Sequence, residues 1–455
     1  MKNFASGLLV GALAAFLPGL ALAGATEPGG SVAANAPSSA YLIRNARVFD
    51  GHVDTPFAGE VLVVGNTIRR VSHGSMSPEP GLKPVVIDAG GRLLTPGFID
   101  AHVHMGSVTT PDGLSNDDPA YLAALEFKGA EAALMRGFTT QRDTGGAIWG
   151  LKRAIDEGLV PGPRVYMAGA VISQTGGHGD DRGFSDVHKD MGGPLSPQER
   201  RHEVFLADGV PAVLGATREQ LRKGANFIKV MASGGAASEY DPLDVSEYTL
   251  DELRAAVEVA EGFGTYVTVH SYNSNSTRRA VEAGVRCIEH GHLTDEPTLK
   301  LMAERDVFLS TNLVVYEVPP PGITPRQRPK FAEVQAAIAR MMPMAKRLGV
   351  KIGFGTDLVF GLAPQRRQSH EFVLRQQWFT PAEVLKQATS GNAELLARSG
   401  PRNPYPGKLG VVEEGAYADL LLIDGEPLKD LKVLEQPEKS LVLIMKDGKV
   451  YRNLL

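Results

Sequence analysis

The stretch Thr95-Pro96-Gly97-Phe98-Ile99-Asp100-Ala101-His102-Val103-His104 is an apolar run that ends in two histidines one residue apart. Strand side chains alternate between faces, so His102 and His104 project to the same side and can grip one metal ion together. Many histidine pairs of this spacing are surface accidents. Four later residues give this pair its weight: Lys229, His270, His290 and Asp357 each close a short run of β-forming residues. Ligand-type side chains recurring at successive strand ends describe one metal site assembled on the rim of a barrel.

Counting outward from that stretch, candidate strands end at His104, Arg142-Asp143, Gly169, Met231, His270, His290, Thr311 and Asp357. Amphipathic helical stretches lie between most of them, at 121–136, 147–157, 218–224, 250–262, 277–283, 296–304 and 331–348. Capping boxes mark helix starts at Thr249-x-x-Glu252 and Thr380-Pro381-x-Glu383. Alternating strand and helix units predict an α/β fold, a (β/α)8 TIM barrel over residues 96–399. The stretch from Ser173 to Pro211 is too long for a simple connection and is expected to form a substrate wall or lid.

Both ends of the chain read as β. Short strand-like runs at 41–51, 61–71 and 85–94 are separated by Gly/Asn and Gly-Gly turns. The C-terminal end offers 408–412, 418–423, and 441–445 followed by Lys446-Asp447-Gly448-Lys449, where Asp-Gly signals a tight hairpin. Neither end alone supplies enough strands for a stable sandwich. Residues 41–95 and 400–455 are therefore expected to pair into one small composite β-sandwich domain, with the barrel inserted between them.

Residues 1–23 carry Lys2, an apolar run from Leu8 to Leu20 and the Ala21-Leu22-Ala23 sequence before Gly24, the pattern of a signal peptide with an A-x-A cleavage site. The run is short for a membrane span, which needs about 20 apolar residues. Residues 24–40 are small, polar and rich in Pro and Gly, as in a flexible leader. The expectation is an exported protein, periplasmic or secreted, with no membrane attachment after cleavage. Its single cysteine, Cys287, cannot form an intramolecular disulfide, so stability must come from a large core. A net charge of -5 with both signs interspersed offers no basic face for nucleic acid.

Imidazole, carboxylate and water suit zinc and similar ions, and His102, His104, His270, His290 and Asp357 supply that set. Lys229 requires a separate reading, because an ammonium cannot be a metal ligand. It is either an unmodified catalytic lysine or one converted by CO2 to an anionic carbamate. The motifs HVHMG, IKVMASGG, VTVH, CIEHG and GTD, in that order, resemble the amidohydrolase superfamily. TGGHG, KVMASGG and GTD together are most similar to its imidazolonepropionase-related branch, which includes Xaa-Pro dipeptidases, carboxypeptidases and bacterial amidohydrolases that cleave ochratoxin A to phenylalanine and ochratoxin alpha.

That resemblance implies a centre with two divalent ions, zinc by preference. His102, His104 and Asp357 would bind one ion, His270 and His290 the other, and carboxylated Lys229 would bridge both. It implies hydrolysis of an amide or peptide bond in a small substrate with a free carboxylate, with Asp357 as proton shuttle. It also implies homo-oligomers, octamers among them. A cyclic-amide or lactone hydrolase, or a one-metal deaminase, is the alternative within the superfamily, and a metal-free scaffold the alternative outside catalysis. Those one-metal sites generally lack the bridging lysine.

Around this set, His178 in Thr175-Gly176-Gly177-His178-Gly179 is either a substrate-facing residue, as the resemblance implies, or part of an ordinary glycine turn. Tyr240 either donates a hydrogen bond to substrate or is a plain loop tyrosine. His292 would share a face with His290 if that strand continued, but Gly291 argues that it stops. Cys287 reads as buried and inert, and Met341, Met342 and Met344 as core filler.

Overall fold

The computed structural model describes residues 40–77, 79–320 and 322–455. The signal-like segment and nearly all of the leader lie outside the described residues.

Eight parallel strands form a closed barrel. The first three are Phe98–Val103, Phe138–Asp143 and Arg164–Met167, the third resuming after a kink as Val171–Ser173. The remaining five are Ile228–Met231, Val267–Asn273, Cys287–Leu293, Phe308–Thr311 and Ile352–Phe354. The kink falls at Gly169, whose φ of 74° belongs to the left-handed region that glycine enters without strain. It redirects the third strand so that Ile172 pairs with Val230 of the fourth. The ring closes where the Asp357 backbone N–H donates to the His102 carbonyl at 2.8 Å. Closure matters for the site, because that bond also brings the first and last ligand candidates together.

Helices wrap the strands. Leu250–Gly262 and Glu296–Glu304 have the bounds read from the sequence, and both capping boxes form, with Thr249 and Thr380 accepting from Glu252 and Glu383. Other helices start earlier than their periodicity suggested. One runs Val210–Arg222 because Gly209 and Pro211 open it, and another spans Gln327–Arg347 with Pro343 inside. Met341 and Met342 of that helix are fully buried.

Strands from both ends of the chain share one eight-stranded sheet. Leu93–Pro96 lies antiparallel to Leu420–Ile423, joining the N-terminal strands to the C-terminal ones. The sheet curls around a single apolar cluster that includes Ile43, Val61, Leu94, Leu420, Leu422 and Leu443. Asp447 and Gly448 turn the last hairpin with φ of 55° and 69°, as an Asp-Gly turn requires. The run 408–412 is a correction: it makes only an isolated bridge from Lys408 to Ala416, since its backbone is taken up by turns against residues 50 and 417. Arg164, at the start of the third barrel strand, binds Asp419 at 3.1 Å and Asp447 at 2.7 Å, tying the barrel to the sheet.

The second correction concerns the sixth strand, which runs through Gly291 to Leu293. His290 and Gly291 adopt φ of 73° and 66°, so the chain bulges and continues where a stop was expected.

Candidate metal centre

All six predicted ligand positions reach one cavity of about 370 Å³ at the C-terminal end of the barrel, together with His178, Tyr240, Tyr272 and Tyr316. His102, in the first strand, is buried and held at both ends of its ring. Its Nδ1 lies 2.9 Å from Glu289 Oε2, and its Nε2 lies 3.4 Å from Asp357 Oδ1. His104 sits just past the same strand. Its Nδ1 meets the Gly145 carbonyl at 2.9 Å, and its Nε2 is again 3.4 Å from Asp357 Oδ1. The two rings thus present equivalent nitrogens to one carboxylate, as the one-residue spacing requires.

Asp357 follows the eighth strand with φ of 53°. Burial works to raise its pKa, but His102, His104 and His290 outweigh burial and hold the carboxyl well below the usual range. His290 approaches Asp357 Oδ2 at 4.0 Å, and donor atoms of His102, His290 and Asp357 all lie within 4.8 Å of one another. His290 Nδ1 is also 3.1 Å from both Asn312 Oδ1 and the Tyr316 hydroxyl. His270, from the fifth strand, has its ring centroid 4.4 Å from that of His290. Its Nε2 is buried without a hydrogen-bond partner among the described residues. Lys229, from the fourth strand, is 1% exposed.

Burial lowers the basicity of Lys229, and burial plus neighbouring imidazoles holds His270 and His290 well below the ordinary histidine range. Neutral imidazoles with free lone pairs beside an ionised carboxylate are the donor set a divalent cation takes. An unpartnered buried nitrogen at His270 fits that use, because such a group otherwise costs the free energy of an unmade hydrogen bond.

His178 lies over His270, with centroids 4.0 Å apart and rings 21° from parallel. Tyr240 lines the cavity from the loop after the fourth strand and is 47% exposed. A second cavity of about 320 Å³ opens beside the first, sharing His104, His178 and Met231. Gly179, Gln198, Arg201, Glu203 and Val204 from the long insertion line it, so that segment does form a wall. His292 does not line the main cavity: its Nε2 lies 2.9 Å from the Asn312 carbonyl and 3.0 Å from the Thr311 hydroxyl.

Sequence reasoning missed the partners behind the ligands. Glu289 is fully buried, and its Oε1 accepts from Arg142 Nη2 at 2.5 Å and from the Thr268 hydroxyl. Arg142 also donates to the Ala101 carbonyl at 2.6 Å. Strict alternation would put Glu289 and His290 on opposite faces. The bulge at 290 and 291 breaks alternation and lets both turn inward, a geometry that CIEHG hints at only through its glycine. Tyr272 and Tyr316, hydrogen bonded to each other through their hydroxyls, carried no sequence signal beyond being aromatic.

Residues 93–451 match the amidohydrolase family. The chain belongs to that family. It is 32% identical over 377 residues to ochratoxinase from Aspergillus niger, covering 79% of this chain and 76% of the relative. Among solved structures, an amidohydrolase superposes with a TM-score of 0.84 at 39% identity, over 92% of this chain and all of the other. A prolidase complexed with N-methylphosphonate-L-proline superposes with a TM-score of 0.83 at 35% identity, over 91% of this chain and 100% of that one.

Proposed function

We propose that this amidohydrolase holds two divalent cations, zinc by preference, and hydrolyses the amide or peptide bond of a small carboxylate-bearing substrate such as a dipeptide, an N-acyl amino acid or ochratoxin A. One observation carries the reading: His102, His104, Lys229, His270, His290 and Asp357, brought in by five strands of the barrel, face one cavity sized for a small molecule. Similarity to an ochratoxinase and to a prolidase complexed with a proline derivative supports the bond type.

His102, His104 and Asp357 would hold one cation, and His270 and His290 the other. Carboxylated Lys229 would hold both, since its buried, weakly basic amine is suited to adding CO2. When bound, such a pair supplies Lewis acidity, lowering the pKa of water and polarising a carbonyl. Asp357, ionised and aimed into the cavity, accepts the proton of the attacking water and returns it to the departing amine. Glu289 keeps the His102 proton on Nδ1, leaving Nε2 as a lone-pair donor. His178 and Tyr240 meet the substrate from the cavity wall, Tyr240 as a hydrogen-bond donor to its carbonyl or carboxylate. The export pattern of residues 1–23 extends the proposal to action outside the cytoplasm.

The test is hydrolysis of N-acyl amino acids, Xaa-Pro and Xaa-Phe dipeptides and ochratoxin A by zinc-loaded enzyme, repeated after chelation. Chelator-sensitive cleavage favouring one C-terminal residue supports the reading. Two bound metals without cleavage of any of them would overturn the carboxylate-bearing amide assignment in favour of cyclic amides or lactones, and a single metal per chain would overturn the binuclear centre.

A further inference from the structure

The loop that follows the fourth strand is fastened from outside the barrel by the start of one helix. Lys330, in the first turn of Gln327–Arg347, donates three hydrogen bonds of 2.8 Å to the carbonyls of Gly235, Ser238 and Asp241. An ammonium has three donors, so this one is fully spent on a single loop. Gln327 adds a bond of 2.8 Å to the Ala237 carbonyl, and the Thr324 hydroxyl donates to Glu239 Oε2 at 2.7 Å. Five positions between 235 and 241 are therefore tied to one short segment.

What the loop does with that rigidity is visible on its other side. Asp241 Oδ2 accepts from the Gly235 backbone N–H at 2.5 Å and from the Ser238 hydroxyl at 2.6 Å. Ser238 Oγ in turn lies 2.7 Å from His178 Nδ1, and Asp241 Oδ2 lies 3.4 Å from the same nitrogen. The His178 ring rests on Gly235 so closely that a Cβ there would sit 2.0 Å from ring atoms. With Nδ1 engaged, Nε2 is the nitrogen available to a ligand. The imidazole is thus set by a glycine floor, a serine and a carboxylate, all carried by the loop that Lys330 fastens.

We propose that Lys330 is a positioning residue, which clamps the 235–241 loop and through Asp241 and Ser238 fixes the His178 ring that meets the substrate. The role rests on the hydrolase reading above for its consequence in catalysis, while the clamp itself does not. Lys330 lies outside the ligand set, so its loss weakens substrate positioning more than the chemical step.

The test compares wild type, Lys330→Met and Lys330→Arg as full-length, zinc-loaded enzymes. Hydrogen exchange of peptides covering 233–242 and 174–180 is measured first, with metal content, and KM and kcat are then measured on the best substrate of the panel. Lys330→Met is expected to exchange faster in both segments, keep its metal, and raise KM roughly tenfold with kcat little changed, about the loss of one good hydrogen bond. Lys330→Arg should recover part of the KM. Unchanged exchange at 174–180 overturns the clamp whether or not any substrate is cleaved. Faster exchange throughout the barrel with metal loss also overturns it, as a merely structural role. Faster exchange in both segments with unchanged KM shows that the loop does not position His178 for substrate and overturns the proposal as well. An inactive wild type would count against the hydrolase reading alone, since the exchange comparison still decides the clamp.

Discussion

Replacing Glu289 by Gln conserves shape and removes one charge, and the structure predicts what that costs. Glu289 lies fully buried between Arg142, which is also fully buried, and His102 Nδ1. The carboxylate accepts from Arg142 through Oε1, and its Oε2 faces His102 Nδ1 at 2.9 Å. A carboxamide cannot serve both, because one of its ends is a donor. If the amide oxygen stays on Arg142, the NH2 group faces His102 Nδ1, which must give up its proton and move it to Nε2, the nitrogen the cavity needs bare. If the amide turns over, two donors face each other at Arg142. In either orientation the guanidinium is left buried without its counter-charge, and breaking such a pair costs roughly 3–5 kcal/mol. With an unfolding entropy of about 2 cal/mol/K per residue over 455 residues, that is about 3–5 °C in melting temperature. Metal affinity should fall by roughly 10–100-fold, as when the hydrogen-bond partner of a ligating histidine is removed. Calorimetry of the metal-free protein and competition with a chelator read the two effects separately. A Gln variant that melts within about 1 °C of wild type and holds metal equally well would refute the account of both Arg142 and His102.

Other substitutions separate the roles assigned to the remaining residues. Lys229→Ala should lose the second metal and most activity, and retained two-metal stoichiometry by atomic emission would refute the bridging role. Asp357→Asn should lower kcat by about 10²–10⁴-fold; full turnover in steady-state kinetics would exclude Asp357 as the proton shuttle. Glu247 accepts from the His178 backbone N–H at 2.9 Å while its Oε2 is buried without a hydrogen-bond partner among the described residues, and burial pushes its pKa up from 4.5 to about 9. A carboxyl whose pKa is raised by folding contributes stability that is complete below the unfolded value and lost as pH rises through the folded one. Glu247→Gln, which keeps the acceptor and never ionises, should therefore gain in melting temperature over wild type between pH 5 and pH 9. Parallel melting profiles across that range would mean that Glu247 stays ionised in the folded protein.

The barrel was legible because its period is local. A strand such as Val267-Thr268-Val269 announces itself within a few residues, and the helix at Leu250–Gly262 carries its own capping box. His102, His104, His270, His290 and Asp357 stood out as candidates for the same reason, since each follows such an apolar run, although the strands at His270 and His290 go on past them. The sequence-readable signals stop at the ends of elements. The strand at 408–412 failed because its apolar residues serve two turns, and the helix before Arg218 was hidden because Gly209 and Pro211 look like loop until the chain folds.

Glu289 shows why the rest was not legible. Its partners Arg142, Thr268 and His102 come from three other strands, and no spacing in the chain relates them. Its inward aim depends on a backbone bulge at the next two residues, which reverses the rule that made His102 and His104 readable. The same bulge carries the strand on to His292, whose Nε2 settles against Asn312 and Thr311, behind the residue that also touches His290. One left-handed step at His290 therefore decides three things together: which way the ligand points, which carboxylate stands behind His102, and where the next histidine is stored. Filling that position with a β-branched residue would strain the backbone as well as delete the ligand. His290→Val should thus destabilise the barrel beyond His290→Ala, a difference thermal unfolding of the metal-free variants would register; equal melting temperatures would mean the bulge is set elsewhere.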